Sequence, residues 1–295
     1  MKKKEIENLL YLRLGNHIIN ELLKKKLFKI PIHLGFGHEA LALALINNIS
    51  KNDVLCLTHR NFTYNLAVDL NLNKIINHFF LKTTTKSKNN ISEIGSMNLI
   101  NKKFNILYTS SILGNNLSVG SGIALNKKVS KKNGKVFIVT GDGAIEEGAF
   151  WESLVFIKSL DLDVVILIEN NNYSMSSEIK ERRCNINLYK IAKALQLEFL
   201  KLDNNEYSNI NRLLSHKLNN RKPLIIEANI KTFNHHVGPT PGWQNDRMNI
   251  NITNGLIVEQ SKDDPIYNLH KKISTAIYEK ISKFVIKKYS SYLKI

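Results

Sequence analysis

The run Val136-Phe137-Ile138-Val139-Thr140, followed at once by Gly141-Asp142-Gly143, constrains this chain more than any other stretch. β-branched and aromatic residues without alternation suit a strand buried on both faces, and such strands belong to parallel sheets. The two glycines allow a sharp turn and a close backbone approach. Asp142 then falls at the strand's C-terminal end, where open α/β sheets bind ligands. A helix is predicted next: Glu146 and Glu147 suit its first turn, and Phe150, Trp151, Leu154, Val155 and Ile157 recur at helical spacing. A second strand, Val164 to Ile168, ends at Glu169-Asn170-Asn171-Asn172-Tyr173.

Neighbouring parallel strands would bring the oxygens of Asp142 and Asn171 together. Magnesium takes oxygen ligands and completes its octahedral shell with phosphate and water, so a carboxylate, an amide oxygen and a backbone carbonyl make a sensible half-shell. The competing reading is a helix cap at Asp142 and a plain asparagine turn. Upstream, Val54-Leu55-Cys56-Leu57 reads as a strand ending at Thr58-His59-Arg60, where Arg60 offers a planar fork for diphosphate oxygens or an ordinary surface ion pair. His33 precedes a predicted helix of small and large apolar residues at 39 to 46, and reads as a proton-transfer group or a surface histidine.

The 295 residues are 43% hydrophobic, enough for a substantial core. A formal charge of +17 raises nucleic acid or acidic membrane as partners, but the lysines are scattered from Lys2 to Lys294 and no nucleic-acid motif appears. Cys56 and Cys184 stand in neither metal-ligand nor redox spacing, which points to a reducing, cytoplasmic setting. The predicted helix at 5 to 28 is interrupted by Glu5, Glu7, Asn8, Arg13 and Asn16, so it forms neither a signal core nor a membrane span. Residues 82 to 111 read as a long polar surface loop, and Gly120 and Gly122 as close-packing positions in a helix. A helix from Ile186 to Leu195, a strand from Glu198 to Leu202, an amphipathic stretch from Ile210 to Leu218 and a strand from Pro223 to Ala228 follow. The last strand delivers the loop Asn234-His235-His236, whose two histidines lack the further ligands a zinc site needs. The expected architecture is one α/β domain over residues 1–295, with a central, mostly parallel sheet and a short helical tail.

Gly141-Asp142-Gly143, then 26 intervening residues, then Asn170-Asn171 resembles the thiamine diphosphate motif. With a His-Leu-x-x-Gly-x-Glu-Ala pattern at His33, Leu34, Gly37, Glu39 and Ala40, then Gly95-Ser96-Met97 and Asp264-Pro265-Ile266 in order, the chain resembles the alpha subunit of the 2-oxo acid dehydrogenase decarboxylating component, pyruvate dehydrogenase-like, over about residues 5 to 275. The resemblance implies a three-layer thiamine diphosphate-binding fold, with thiamine diphosphate and Mg2+ as cofactors. It implies metal ligation by Asp142, Asn171 and the Tyr173 carbonyl, and cofactor contacts from His59, Arg60, Ser111, Leu113, Gly141, Asp142, Gly143, Ala144, Asn171 and His236. His236 and His33 fall on the reaction side. The sequence departs from the family at Phe62 and Asn98, where histidines are usual. The implied activity is decarboxylation of a small 2-oxo acid with acyl transfer, with a lipoyl acyltransferase as acceptor. A separate beta-type, pyrimidine-binding subunit is implied in an α2β2 assembly, and the helices at 5 to 28 and 39 to 46 need not be wholly covered by their own chain. Alternatives are the diphosphate-binding half of a split transketolase or carboligase, and a non-catalytic basic binding protein that retains the fold.

Overall fold

The computed structural model describes residues 1–28, 30–79, 96–239, 250–289 and 291–292. In chain order the first elements are α1 (Lys3–Lys24), α2 (Glu39–Asn48), β1 (Val54–Thr58), α3 (Phe62–Asp69), α4 (Leu72–Phe79), β2 (Ile106–Ser110), α5 (Asn115–Val129), β3 (Val136–Gly141) and α6 (Gly148–Ser159). They continue with β4 (Val164–Asn170), β5 (Tyr173–Ser174), β6 (Ser177–Glu178), α7 (Ile179–Arg182), α8 (Leu188–Ala194), β7 (Glu198–Leu202), α9 (Tyr207–Lys217), β8 (Leu224–Asn229), α10 (Pro265–Lys272) and α11 (Thr275–Tyr289). Contacts group these into a helical unit, Met1–Ile46 with Arg60–Leu99 and Thr232–Ile295, and a sheet unit, Asn47–His59 with Ile100–Lys231.

The sheet unit holds six parallel strands in the order β2-β1-β3-β4-β8-β7, an α/β arrangement as the strand-helix-strand pattern requires. One face of the sheet, Val54, Cys56, Val136, Ile138, Val164, Ile166 and Ile168, packs with Leu117 and Ala124 of α5, Phe150, Leu154 and Ile157 of α6, and Leu188 and Ala192 of α8. The alternate residues Leu55, Leu57, Phe137, Val139, Val165 and Leu167 are buried too, so β1, β3 and β4 lack the polar face of a half-exposed strand. Each large apolar side chain buried this way contributes about 1.5–3 kcal/mol of transfer free energy. α5 reaches the sheet through Gly120, where a Cβ would lie 2.6 Å from Ile138 Cδ1. Gly122 differs: a Cβ there would meet nothing within 4 Å, so the close-packing expectation holds for Gly120 alone.

In the helical unit a buried ionic cluster fixes the N-terminal helix. The Arg13 guanidinium donates to Glu39 Oε1 at 2.6 Å, to Asp264 Oδ1 at 3.0 Å and to the Leu256 carbonyl at 2.8 Å, with all three side chains buried. Asp264 also caps α10, accepting from Ile266 N at 2.8 Å, with Pro265 at the first helical position. Burial would raise the Asp264 pKa, but Arg13 and the hydrogen bonds hold it below the ordinary carboxylate value.

Two expectations change here. The polar stretch 82 to 111 is not all loop, because Ile106–Ser110 forms edge strand β2; residues 82–95 of that stretch, Gly95 included, lie outside the described residues. Polar flanks hid a short strand whose edge position requires no apolar alternation. Helices α1 and α2 do not need a partner to cover them either, since Ile6, Leu9, Leu10, Leu12, Leu14, Ile18, Leu22 and all of α2 from Glu39 to Leu45 are buried within the chain.

Candidate functional site

β3 and β4 pair in register up to Gly141 opposite Glu169, so Asp142 directly follows the end of β3 and Asn171 directly follows the end of the neighbouring β4. β1 flanks β3 on its other side, with Cys56 opposite Ile138. From β1 the chain goes outward to β2, and from β3 it goes the opposite way to β4, so the crevice above β1 and β3 is a topological switch point. Asp142 is only 3% exposed. Burial pushes its carboxyl up to about 6, against the pull of Arg182, the backbone N–H groups of Gly143 and Asp142, and Arg183. Arg182 Nη2 donates to Asp142 Oδ2 at 3.2 Å, while Arg182 and Arg183 both pair with Glu146.

The turn after β3 is a 3-10 segment, Asp142–Glu146, and α6 begins only at Gly148. Glu146 therefore stands outside the helix whose first turn it was expected to occupy, and it faces the arginines instead. Gly143 is required for the close approach of β5, because a Cβ there would lie 2.6 Å from Ser174 Oγ. Ala144 is buried beside it, whereas a Cβ on Gly141 would meet only open space. Asn171 Oδ1 accepts from Tyr173 N at 3.1 Å, closing a turn that leads into the hairpin β5–β6. Tyr173 has its ring exposed and its hydroxyl on Glu178 at 2.9 Å, so any contribution it makes to a metal comes from its backbone carbonyl.

These residues suit magnesium and a diphosphate. Every donor is oxygen, and two of the three directly follow the ends of neighbouring parallel strands. The space over Gly141 is open, and the Thr140 hydroxyl just below it is buried with no hydrogen-bond partner among the described residues. A strand end with an orphaned hydroxyl and a carboxylate pushed above its ordinary pKa is organised for an incoming cation.

Ser111 and Leu113 follow β2 and are exposed; β1 separates their strand from β3, so within the sheet they stand one strand away from Asp142. His59 directly follows β1 and is half-buried.

The helical unit brings His33, Arg60 and His236 together. The imidazoles of His33 and His236 meet edge to face, with ring centroids 4.8 Å apart, and the buried Arg60 guanidinium donates to the Leu34 carbonyl next to His33. Burial, then the Arg60 charge, lowers the His33 pKa to about 3 and the His236 pKa to about 4. Both rings are neutral at neutral pH, each with one N–H donor and one acceptor nitrogen. The loop bearing His33 is held from several sides. Asn16 Oδ1 accepts from Gly35 N at 3.0 Å, Glu39 Oε2 accepts from Gly37 N at 2.9 Å, Phe233 N donates to the Phe36 carbonyl at 3.1 Å, and His38 Nε2 lies 2.7 Å from Thr232 Oγ1.

Phe62, where the resembled family usually has histidine, is a core residue packed against Phe79 with ring centroids 6.2 Å apart. Asn98 is half-buried, and its N–H donates to Ser96 Oγ at 3.1 Å. The histidine loop is described only as far as Pro239, so Thr240 and Pro241 lie outside the described residues. Sequence reasoning missed Arg182, Arg183 and Glu146 at the strand ends, and Asn16 and Glu39 behind the His33 loop. The one available signal was the pairing of Glu146-Glu147 with Arg182-Arg183, two like-charged doublets of opposite sign.

Residues 9–277 match the family described as "Dehydrogenase E1 component". The mitochondrial pyruvate dehydrogenase E1 component subunit alpha of Dictyostelium discoideum is 30% identical over 172 residues, 58% of this chain and 44% of that protein. The corresponding subunit of Rickettsia felis is 25% identical over 246 residues, 82% of this chain and 72% of that protein. The mitochondrial subunit alpha-1 of Arabidopsis thaliana is 28% identical over 158 residues, 54% of this chain and 40% of that protein. The chain thus matches less than half the length of the Dictyostelium and Arabidopsis proteins.

Proposed function

From the premise that this chain belongs to the dehydrogenase E1 component family, a thiamine diphosphate-dependent family, we propose that it is the alpha subunit of a two-chain enzyme that decarboxylates a small 2-oxo acid with the help of thiamine diphosphate and Mg2+. The observation that carries this reading is that Asp142 and Asn171 directly follow the ends of the neighbouring parallel strands β3 and β4, beside the switch point of the sheet.

In this reading Asp142, Asn171 and the Tyr173 carbonyl hold the magnesium, and the backbone at Gly141, Gly143 and Ala144 borders the diphosphate. Arg60 and His59 add donors to the same cofactor, and Ser111 and Leu113 offer backbone groups to its pyrimidine ring. When bound, thiamine diphosphate supplies the nucleophilic carbon that attacks the oxo group and accepts the electron pair released with carbon dioxide. His33 and His236, held neutral by burial and by Arg60, orient the substrate by hydrogen bonding and move a proton between neutral partners. The rigid loops behind them keep those donors in place.

A separate pyrimidine-binding chain completes the site, in an α2β2 assembly that passes the acyl group to a lipoyl acyltransferase. Support for a partner comes from apolar side chains left in water in the sheet unit: Ile112 is 70% exposed, Leu113 46% and Val155 54%. No helix among the described residues is long and apolar enough to cross a membrane. With Cys56 and Cys184 both free thiols, a reducing cell interior is the setting we assign.

Calorimetry with thiamine diphosphate, in magnesium and then in chelator, tests the reading together with 2-oxo acid decarboxylation before and after addition of a beta-type chain. Binding that needs magnesium, with turnover only when both chains are present, is expected. Equal binding in chelator would remove the metal site, and full turnover by this chain alone would remove the partner.

A further inference from the structure

We propose that Arg182 is a resident counter-ion of the strand-end site: its guanidinium neutralises Asp142 in the cofactor-free protein, and a divalent cation gains that carboxylate only when a diphosphate arrives with it. This rests on the reading of Asp142 as a metal ligand and goes beyond it, because it assigns the order of loading to a residue outside the ligand set.

Three observations carry it. First, the guanidinium is fixed by all three of its nitrogens. Nη2 donates to Asp142 Oδ2 at 3.2 Å, Nε donates to the Ser177 carbonyl at 3.2 Å, and Nη1 pairs with Glu146. A planar fork held this way is pre-organised for carboxylate and for phosphate oxygens alike. Second, the pair is sheltered, with side chains only 14% and 4% exposed, so the interaction is screened far less than a surface pair. Third, the local charges balance. Asp142 and Glu146 face Arg182 and Arg183, two negative groups against two positive ones.

A divalent cation entering alone would break this balance. It would compete with the guanidinium for Asp142 and leave two arginines beside uncompensated positive charge. A diphosphate entering with the cation reverses the sign of the change, since its oxygens complete the metal shell and supply negative charge for the displaced guanidinium. Arg182 also sits on the segment that supplies the third oxygen donor. Tyr173 opens the hairpin β5–β6, and α7 follows that hairpin directly and ends at Arg182. The capping box of α7, with Glu178 N donating to Glu181 Oε2 at 2.7 Å, ties the arginine's backbone to the same hairpin.

The test is a titration of the full-length chain with Mn2+, read by the paramagnetic resonance of the free ion, with no diphosphate present. Wild type is expected to bind Mn2+ weakly, and Arg182→Gln and Arg182→Met at least tenfold more tightly. Arg182→Lys, which keeps the charge, should stay close to wild type. The double variant Arg182→Gln with Asp142→Asn should lose the gain. On wild type itself, saturating thiamine diphosphate should tighten Mn2+ binding at least tenfold after correction for Mn2+ held by free cofactor. Unchanged Mn2+ affinity in folded Arg182→Gln and Arg182→Met, as judged by circular dichroism, would overturn the proposal. If neither variant folds, the wild-type comparison decides, and equal affinity with and without cofactor overturns it. The parent reading fails in a different way: cofactor-dependent Mn2+ binding by wild type would then be indifferent to Asp142→Asn.

Discussion

The two units treat buried polarity in opposite ways. In the helical unit one buried ionic cluster is closed on itself, with Arg13 satisfied by Glu39, Asp264 and the Leu256 carbonyl at 2.6–3.2 Å, while His17, His33 and His236 are held neutral. In the sheet unit Asp142 remains a carboxylate at a strand end, pushed up to about 6 by burial and touched by a single guanidinium. A closed network serves stability, because removing one member strands the others in a low-dielectric interior. A paired carboxylate at a strand end, beside open space over Gly141, is exchangeable instead: its guanidinium can give way to a ligand without stranding a buried charge, because Arg182 also pairs with Glu146.

The largest expected effects test whether neutrality in the helical unit has a use at the reaction side. His236→Ala and His33→Ala should each lower turnover with the partner chain by about 10²–10⁴-fold. Melting temperature should change little by comparison, and steady-state rates beside melting curves check both. Variants that melt early and turn over normally would move these histidines into the purely structural group with Arg13.

Next comes the closed network itself. Arg13→Met leaves the buried carboxylates of Glu39 and Asp264 facing each other without a cation, an expected loss of about 3–5 kcal/mol. Urea unfolding followed by circular dichroism measures it. A loss below about 1 kcal/mol, the range of a surface pair, would break the contrast between the units.

Asp142→Asn should do the reverse. Mutating groups that merely support a metal's ligands costs up to about a hundredfold in affinity, so loss of a ligand carboxylate should cost at least about that much in magnesium-dependent cofactor binding. Stability should stay within about 1 kcal/mol of wild type, since the lost pair with Arg182 is offset by relief of a buried charge. Cofactor calorimetry paired with urea unfolding separates the two quantities. Wild-type cofactor affinity in a folded variant would place Asp142 with the structural carboxylates.

The parts of this arrangement legible in the sequence are those with a local signature. Val136–Gly141 and Val164–Asn170 were visible as unbroken β-branched runs, and their parallel pairing puts Asp142 and Asn171 where the Gly-Asp-Gly and Asn-Asn-Asn turns implied. Edge strand β2 was hidden because Ile106–Ser110 is short and lies between polar stretches, and a strand with one neighbour needs neither alternation nor an apolar run. The ionic cluster was invisible for a different reason. Arg13 and Asn16 read as interruptions of an amphipathic helix, and nothing local reveals that Glu39 and Asp264, 26 and 251 residues from Arg13, converge on that helix. Arg182 was missed because a charged doublet in a polar stretch ordinarily means a solvated surface. Gly120 and Gly122 looked alike in sequence and differ only in whether a strand residue stands opposite.

The smallest effect concerns His17, which belongs to the helical unit but takes no part in its network. Its ring meets Phe36 edge to face at 5.0 Å, and neither nitrogen has a hydrogen-bond partner among the described residues. Burial, then the charges of Arg13 and Lys24, lowers its pKa from 6.5 to about 3. The unfolded chain binds a proton at this histidine below about pH 6.5, while the folded chain stays neutral until about pH 3. Stability from this group is therefore complete above the unfolded value and declines as pH falls through that window. One such group accounts for a loss on the order of 2 kcal/mol between pH 7 and pH 5. His33 and His236 shift in the same direction, so wild type should lose stability steeply over this range. His17→Leu removes one proton from the balance, and its unfolding free energy should fall by about 2 kcal/mol less than wild type between those pH values. Urea unfolding at pH 7, 6 and 5 reads that difference directly. Parallel pH curves for the two proteins would mean that His17 is charged or solvated in the folded state, and the helical unit would then hold a charge outside its closed network.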